Sequence, residues 1–136
     1  MCGERILMAG DNPLNLSAET TGVIDMDEFR IRVGDDSDLI GELITLFLAE
    51  SPKMATAMRR AALEENAGDL KNAAHALKGC VAIFAAPRAV QAAAVLEEMG
   101  IRSDLSHALA AFDVLDSEVD NLRAELTKMM ATAAYA

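Results

Sequence analysis

The stretch SDLSHALAAFDVLDSEVDNLRAELTKM, residues 103–129, sets Leu105, Ala108, Phe112, Leu115, Val119, Leu122, Leu126 and Met129 at alternating steps of three and four. Such steps keep one face of a helix apolar and turn the polar residues away from it. The seam lasts about three heptads, a length that suits a helix of an antiparallel bundle and would also serve a coiled-coil dimer. The bundle is favoured, because the earlier helices carry apolar stripes that need a surface to bury against. Ser103 is the expected cap of this last helix.

Working back from it, Pro87 suits the first turn of a fourth helix that ends near Gly100. Gly68 and Asp69 make a stop and a cap before a third helix, which runs to about Ala85. In it Leu70, Ala74, Leu77, Val81 and Phe84 form a stripe about 80° wide, of the kind that faces a core. A second helix opens at Asp36 or Ser37, with Leu39, Leu43, Leu46 and Phe47 at helical spacing, and continues through Met54, Met58 and Ala62. Pro52 is expected to bend it or divide it. Asp25 or Asp27 caps a short first helix that includes Phe29 and ends near Gly34. The expected fold is all-α, an antiparallel four-helix bundle with a short additional N-terminal helix, occupying residues 23–136. Residues 1–22, which mix Gly, Asn, Ser and Thr around Pro13 with a brief apolar run at Ile6-Leu7-Met8, read as a flexible leader or linker.

A chain of 136 residues with 52% hydrophobic residues makes one domain with a real core. Its formal net charge of −10 argues against nucleic acid or an anionic membrane as partner, since those are bound by clustered Lys and Arg. Cys2 and Cys80 are too far apart in type of setting to make a disulfide framework, so a reducing compartment fits. Glu42 and Glu50 punctuate the most hydrophobic stretch, no run approaches the ~18 residues of a bilayer span, and Met1-Cys2-Gly3-Glu4-Arg5 does not begin a secretory signal. The expectation is a cytoplasmic monomer.

The chemistry gathers on the third helix, in Ala74-His75-Ala76-Leu77-Lys78-Gly79. At about 100° per residue, His75 points about 140° from the middle of the apolar stripe, and Lys71, Lys78, Gly79 and Ala82 lie within about 60° of it. The imidazole should therefore stand in water. A glycine inside a helix is about 1 kcal/mol less favourable than alanine. At Gly79, one turn beyond His75, the missing side chain lets another molecule approach. His107 has no comparable setting and reads as surface, and Cys80 reads as a small, partly buried residue.

His75-Ala-Leu-Lys78-Gly79 followed by Cys80-Val-Ala-Ile-Phe-Ala-Ala86 resembles the signature of histidine-containing phosphotransfer (HPt) domains, and the likeness in helix order extends from about Ile24 to about Lys128. Cys80 stands where the family usually has Ser, and Ala85 where it usually has the Gly of Gly-Ala. The resemblance implies a phosphorelay intermediate that accepts a phosphoryl group on His75 from a receiver-domain aspartate and passes it to another receiver. Its partners would be response-regulator receiver domains and a hybrid histidine kinase. A neutral imidazole, with an unperturbed pKa of about 6.5, is a competent nucleophile, and Lys78 can supply a cation for the phosphoryl oxygens. Lys71, Gly79, Ala82 and Arg88 are the expected partner surface. The sequence offers no metal site and no phosphate-binding glycine loop, so the chain is not expected to phosphorylate itself, and the resemblance implies a phosphocarrier without a cofactor of its own, with Mg²⁺ on the partner receiver. The other reading is a helical interaction module that binds a receiver or kinase without transfer. A second likeness, of Arg5 to Asn15 to the first strand and acidic turn of receiver domains, lacks the residues around the first acid and the length for the rest, and no metal site is inferred there.

Overall fold

Three Asx side chains begin three of the helices. Asp25 accepts a hydrogen bond from the Glu28 amide at 3.1 Å and Asp36 from the Leu39 amide at 3.0 Å. Asn66 accepts from the Asp69 amide at 3.0 Å while its own side-chain amide donates to the Asp69 carboxylate, also at 3.0 Å. Each cap satisfies an amide that the first turn leaves without a partner. A computed structural model describes residues 22–132, with helices α1 Met26–Val33, α2 Ser37–Leu63, α3 Ala67–Ile83, α4 Pro87–Arg102 and α5 Ala108–Thr132 and no strand among the described residues. Apart from Gly22, the leader segment and its receiver-like stretch lie outside them.

Helix α2 packs on α3 and α5, and α4 packs on the same two, which closes a ring of four. The connections at 64–66, 84–86 and 103–107 are too short to let a helix run parallel to the one before it. The result is the expected antiparallel bundle. The α5 seam from Ala108 to Met129 is buried and Leu105 half-buried, and the α3 stripe from Leu70 to Phe84 is buried throughout. Helix α1 is held over the end of the bundle where α3 turns into α4. The Asp25 amide donates to the Ala85 carbonyl at 2.8 Å, and Phe29 lies 5.7 Å from Phe84, whose ring meets Phe47 edge-on at 5.3 Å.

Several helix ends differ from the expectation. Helix α3 starts three residues earlier than a cap at Asp69 would place it, because Asn66 outcompetes Asp69 as the cap and leaves Gly68 within the first turn. It stops at Ile83, after which Ala85 adopts a left-handed conformation at φ 52°. That is the position where the family usually has Gly, and the backbone here keeps the glycine-favouring conformation with an alanine in it. Helix α4 runs past Gly100 to Arg102, and Ser103, left-handed at φ 56°, closes α4 instead of opening α5. The chain then turns through Asp104 and Ser106 before α5 starts at Ala108.

Pro52 does not divide α2, which is a single helix of 27 residues. A proline cannot donate to the carbonyl four residues back, here that of Leu48. Arg123 of α5 supplies the missing donor: its Nη1 donates to the Leu48 carbonyl at 2.9 Å and to the Oγ of buried Ser51 at 2.5 Å. The helix thus continues because a side chain from across the bundle completes it. Arg123→Ala should lower stability by about 1–3 kcal/mol through the polar groups it leaves unpaired. In the Pro52→Ala background, where a backbone amide again reaches Leu48, the loss in urea melts should be smaller by about 1 kcal/mol; equal losses in both backgrounds would contradict this account.

Candidate functional site

Helix α3 turns its core stripe inward, which leaves the His75 side chain 70% exposed. Lys78, one turn along, is half-buried against α4. Facing both from α4 is Glu97, with only 15% of its side chain exposed. One carboxylate oxygen lies 2.8 Å from His75 Nδ1 and the other 2.5 Å from Lys78 Nζ. A single carboxylate therefore bridges the imidazole and the ammonium.

The reach across helices depends on how closely α3 and α4 approach. Helix α4 presents Ala89, Ala92 and Ala93 to the core, and Gly100 meets the backbone of α3 directly. A Cβ on Gly100 would lie 2.7 Å from the Lys71 amide nitrogen and 2.8 Å from the Ala67 carbonyl oxygen. Those are backbone atoms that cannot move aside without shifting the helix. Gly100, expected as a helix end, is instead a point where α4 lies directly against the backbone of α3, one turn from Glu97.

Glu97 was not among the residues the sequence singled out, since nothing within α4 distinguishes it from Glu98. The signal available was its place one residue past buried Leu96 and three before Gly100, on the flank of the stripe that packs on α3. The hydrogen bond from Lys78, and after it the one with His75, holds the Glu97 carboxyl below the usual carboxylate range. The bridge therefore persists as the pH falls past the point where an ordinary glutamate protonates, and is lost only when it passes the lowered value.

An ionised carboxylate only accepts hydrogen bonds, so a neutral His75 engages it as the Nδ1–H donor. The proton is thereby fixed on Nδ1. The Nε2 lone pair is left free on the exposed side of the ring, as a nucleophile requires.

The other residues read from the sequence divide between this face and its margins. Nothing lies within 4 Å of where a Cβ on Gly79 would be, so the surface beside His75 is open. Ala82 borders a shallow groove shared with Asp25, Glu28 and Val90. Lys71 is exposed, its backbone against Gly100. Arg88 is turned elsewhere, with its Nε 3.1 Å from Glu118 on α5, and it lies nine residues from Glu97, about 13 Å along α4. Cys80 is half-buried and burial pushes its thiol pKa up, which keeps it protonated. Among the described residues no group of three or more His, Cys, Asp or Glu is placed to hold a metal ion, and no helix is long and apolar enough to cross a membrane.

The family model of the Hpt domain matches residues 42–125, a span that contains α3 and α4 whole. The chain belongs to the Hpt domain family. Its role is histidine phosphotransfer within a phosphorelay, as a phosphocarrier and not an enzyme, and Hpt domains work with receiver domains and kinases. The fold is similar to the crystal structure of histidine-containing phosphotransfer protein B (HptB) from Pseudomonas aeruginosa PAO1, with a TM-score of 0.75 and 20% identity over 80% of this chain and 95% of that one. No curated protein matches the chain significantly. Within this Hpt domain, Gly100→Ala should force α3 and α4 apart at the turn next to Glu97. Overpacking of this kind typically destabilises by about 1–3 kcal/mol, against which the helix-propensity gain of alanine is about 1 kcal/mol. Thermal melts should show a net loss, and an unchanged or raised midpoint would contradict the close-contact role of Gly100.

Proposed function

We propose that Nε2 of His75 is the atom that carries the phosphoryl group. The observation that supports this most is the Glu97 bridge, which assigns the Nδ1 proton and leaves Nε2 unprotonated and exposed. In the forward step the Nε2 lone pair attacks the phosphorus of a receiver's aspartyl phosphate. The phosphorus–oxygen bond to the aspartate breaks, and its electron pair returns to that carboxylate. The chain's own contribution to charge is Lys78, whose ammonium lies one turn from His75 and offsets the negative charge spread over the phosphoryl oxygens. The reverse sequence hands the group to an aspartate on a second receiver.

The receiver docks over the open side of α3. Gly79 offers no side chain to keep it away from His75, and Ala82 continues the low profile one turn on. On the opposite flank of α3, towards α2, Cys80 and Ile83 line an apolar groove with Leu43, Leu46 and Met54, which adds an apolar surface beside the polar one. Lys71 stands at the rim. Arg88 is engaged by Glu118, and it contributes to docking only at the far margin. In this reading Mg²⁺ belongs to the receiver, the chain needs no cofactor of its own, and it acts in the cytoplasm as a monomer, with a hybrid kinase upstream.

Incubated with a phosphorylated receiver, the protein should gain acid-labile, base-stable phosphate, and His75→Gln should abolish the labelling. A labelled Gln variant would show that another residue is the acceptor. Gly79→Glu should slow transfer at least about tenfold, equivalent to about 1.4 kcal/mol, with the helical circular dichroism unchanged. Transfer at the normal rate by that variant would overturn the docking assignment.

A further inference from the structure

The carboxylate that selects the nucleophile also bears on what happens after the phosphoryl group has arrived. Neutral imidazole attacking through Nε2 keeps its Nδ1 proton, so the phosphorylated ring is formed as a cation. The Nδ1–H then points at the ionised Glu97 oxygen that lies 2.8 Å from it in the unphosphorylated protein. We propose that Glu97 holds the proton on Nδ1 of phosphorylated His75 and thereby sets the phosphoryl group in its readily donated state. This rests on His75 being the acceptor, as inferred above.

The chemistry follows from the leaving group. When the Nε2–phosphorus bond breaks, the electron pair stays on Nε2 and the phosphoryl group passes to an oxygen of aspartate or water. With Nδ1 protonated the ring departs as neutral imidazole, and without that proton it must depart as the far more basic imidazolate. A negative charge in contact with Nδ1–H favours the protonated ring and so favours departure. The site is thus arranged for handing the group on and not for storing it.

The charges around Glu97 are few. On α3, Lys78 and His75 act on it. Helix α5, the other helix packed against α4, directs Glu118 to Arg88, and on α4 itself Glu98 pairs with Arg102 at 2.6 Å. Lys78 is shared between the Glu97 carboxylate and the incoming phosphoryl oxygens, but it bears on the group's charge and not on which ring nitrogen holds the proton. Glu97 is accordingly a positioning residue, one that acts through the imidazole.

The test uses the whole chain, wild type and Glu97→Gln, phosphorylated with phosphoramidate so that no partner is needed. Phosphorus NMR across a pH series follows the ring titration of the phosphorylated form, and its decay is timed at each pH. The wild-type midpoint should lie at least about one pH unit above that of the Gln variant, the shift expected for loss of an adjacent opposite charge. Decay above both midpoints should then be roughly tenfold slower in the variant. Coincident midpoints, or a rate difference of the same factor at every pH, would overturn the inference and leave Glu97 a purely structural anchor. Failure of the wild type to take up phosphate on His75 would remove the acceptor assignment, and this inference with it.

Discussion

A carboxylate held between two helices organises this molecule's working face. Glu97 is mostly covered yet ionised, because an imidazole and an ammonium from the facing helix are both within hydrogen-bonding distance. That arrangement turns an exposed histidine, by itself an ordinary surface residue, into one with an assigned tautomer and an oriented ring. It also keeps Lys78 in place beside the imidazole. The distances are tight enough to depend on the separation of α3 and α4, and small residues on α4, Gly100 among them, let the two helices lie close.

The remainder of the fold supplies a frame stiff enough for this one contact. Helices α2 and α5 close the ring and bury the long apolar seam, while α1 covers the aromatic cluster at the turn between α3 and α4. Arg123 shows how a local conflict is resolved by tertiary structure. Proline in the middle of α2 removes a backbone donor, and the guanidinium from α5 fills its place. The same contact ties the two helices together.

Periodicity was readable from the sequence in α3 and α5 but misled in α2, where Leu39 and Leu46 are exposed and Ile40 and Ile44 face the core instead. The α5 seam, the α3 stripe and the outward direction of His75 follow from rotation per residue, and burial agrees with them except at half-buried Leu105. Helix ends were less legible, because several residues compete for each cap: Asn66 prevails over Asp69, and Ser103 terminates one helix where it was expected to start the next. Glycine was ambiguous for a related reason. Gly79 and Gly100 look alike in sequence, yet one faces open solvent and the other touches the backbone of a neighbouring helix. Glu97 lies 22 residues from His75, and its pairing depends on how the two helices are set against each other, which no local pattern encodes. The motif residues could be found in one helix, but the group that orients them could not.

The coupling of Gly100, Glu97 and His75 makes the proposed phosphotransfer site a property of the α3–α4 pair more than of the histidine motif. The most direct test is long-range ¹H–¹⁵N correlation NMR of the His75 ring in the unphosphorylated protein at a pH where the ring is neutral. The account requires the proton on Nδ1, with Nε2 showing the shift of an unprotonated nitrogen. A ring protonated on Nε2, or an equal mixture of the two tautomers, would contradict it.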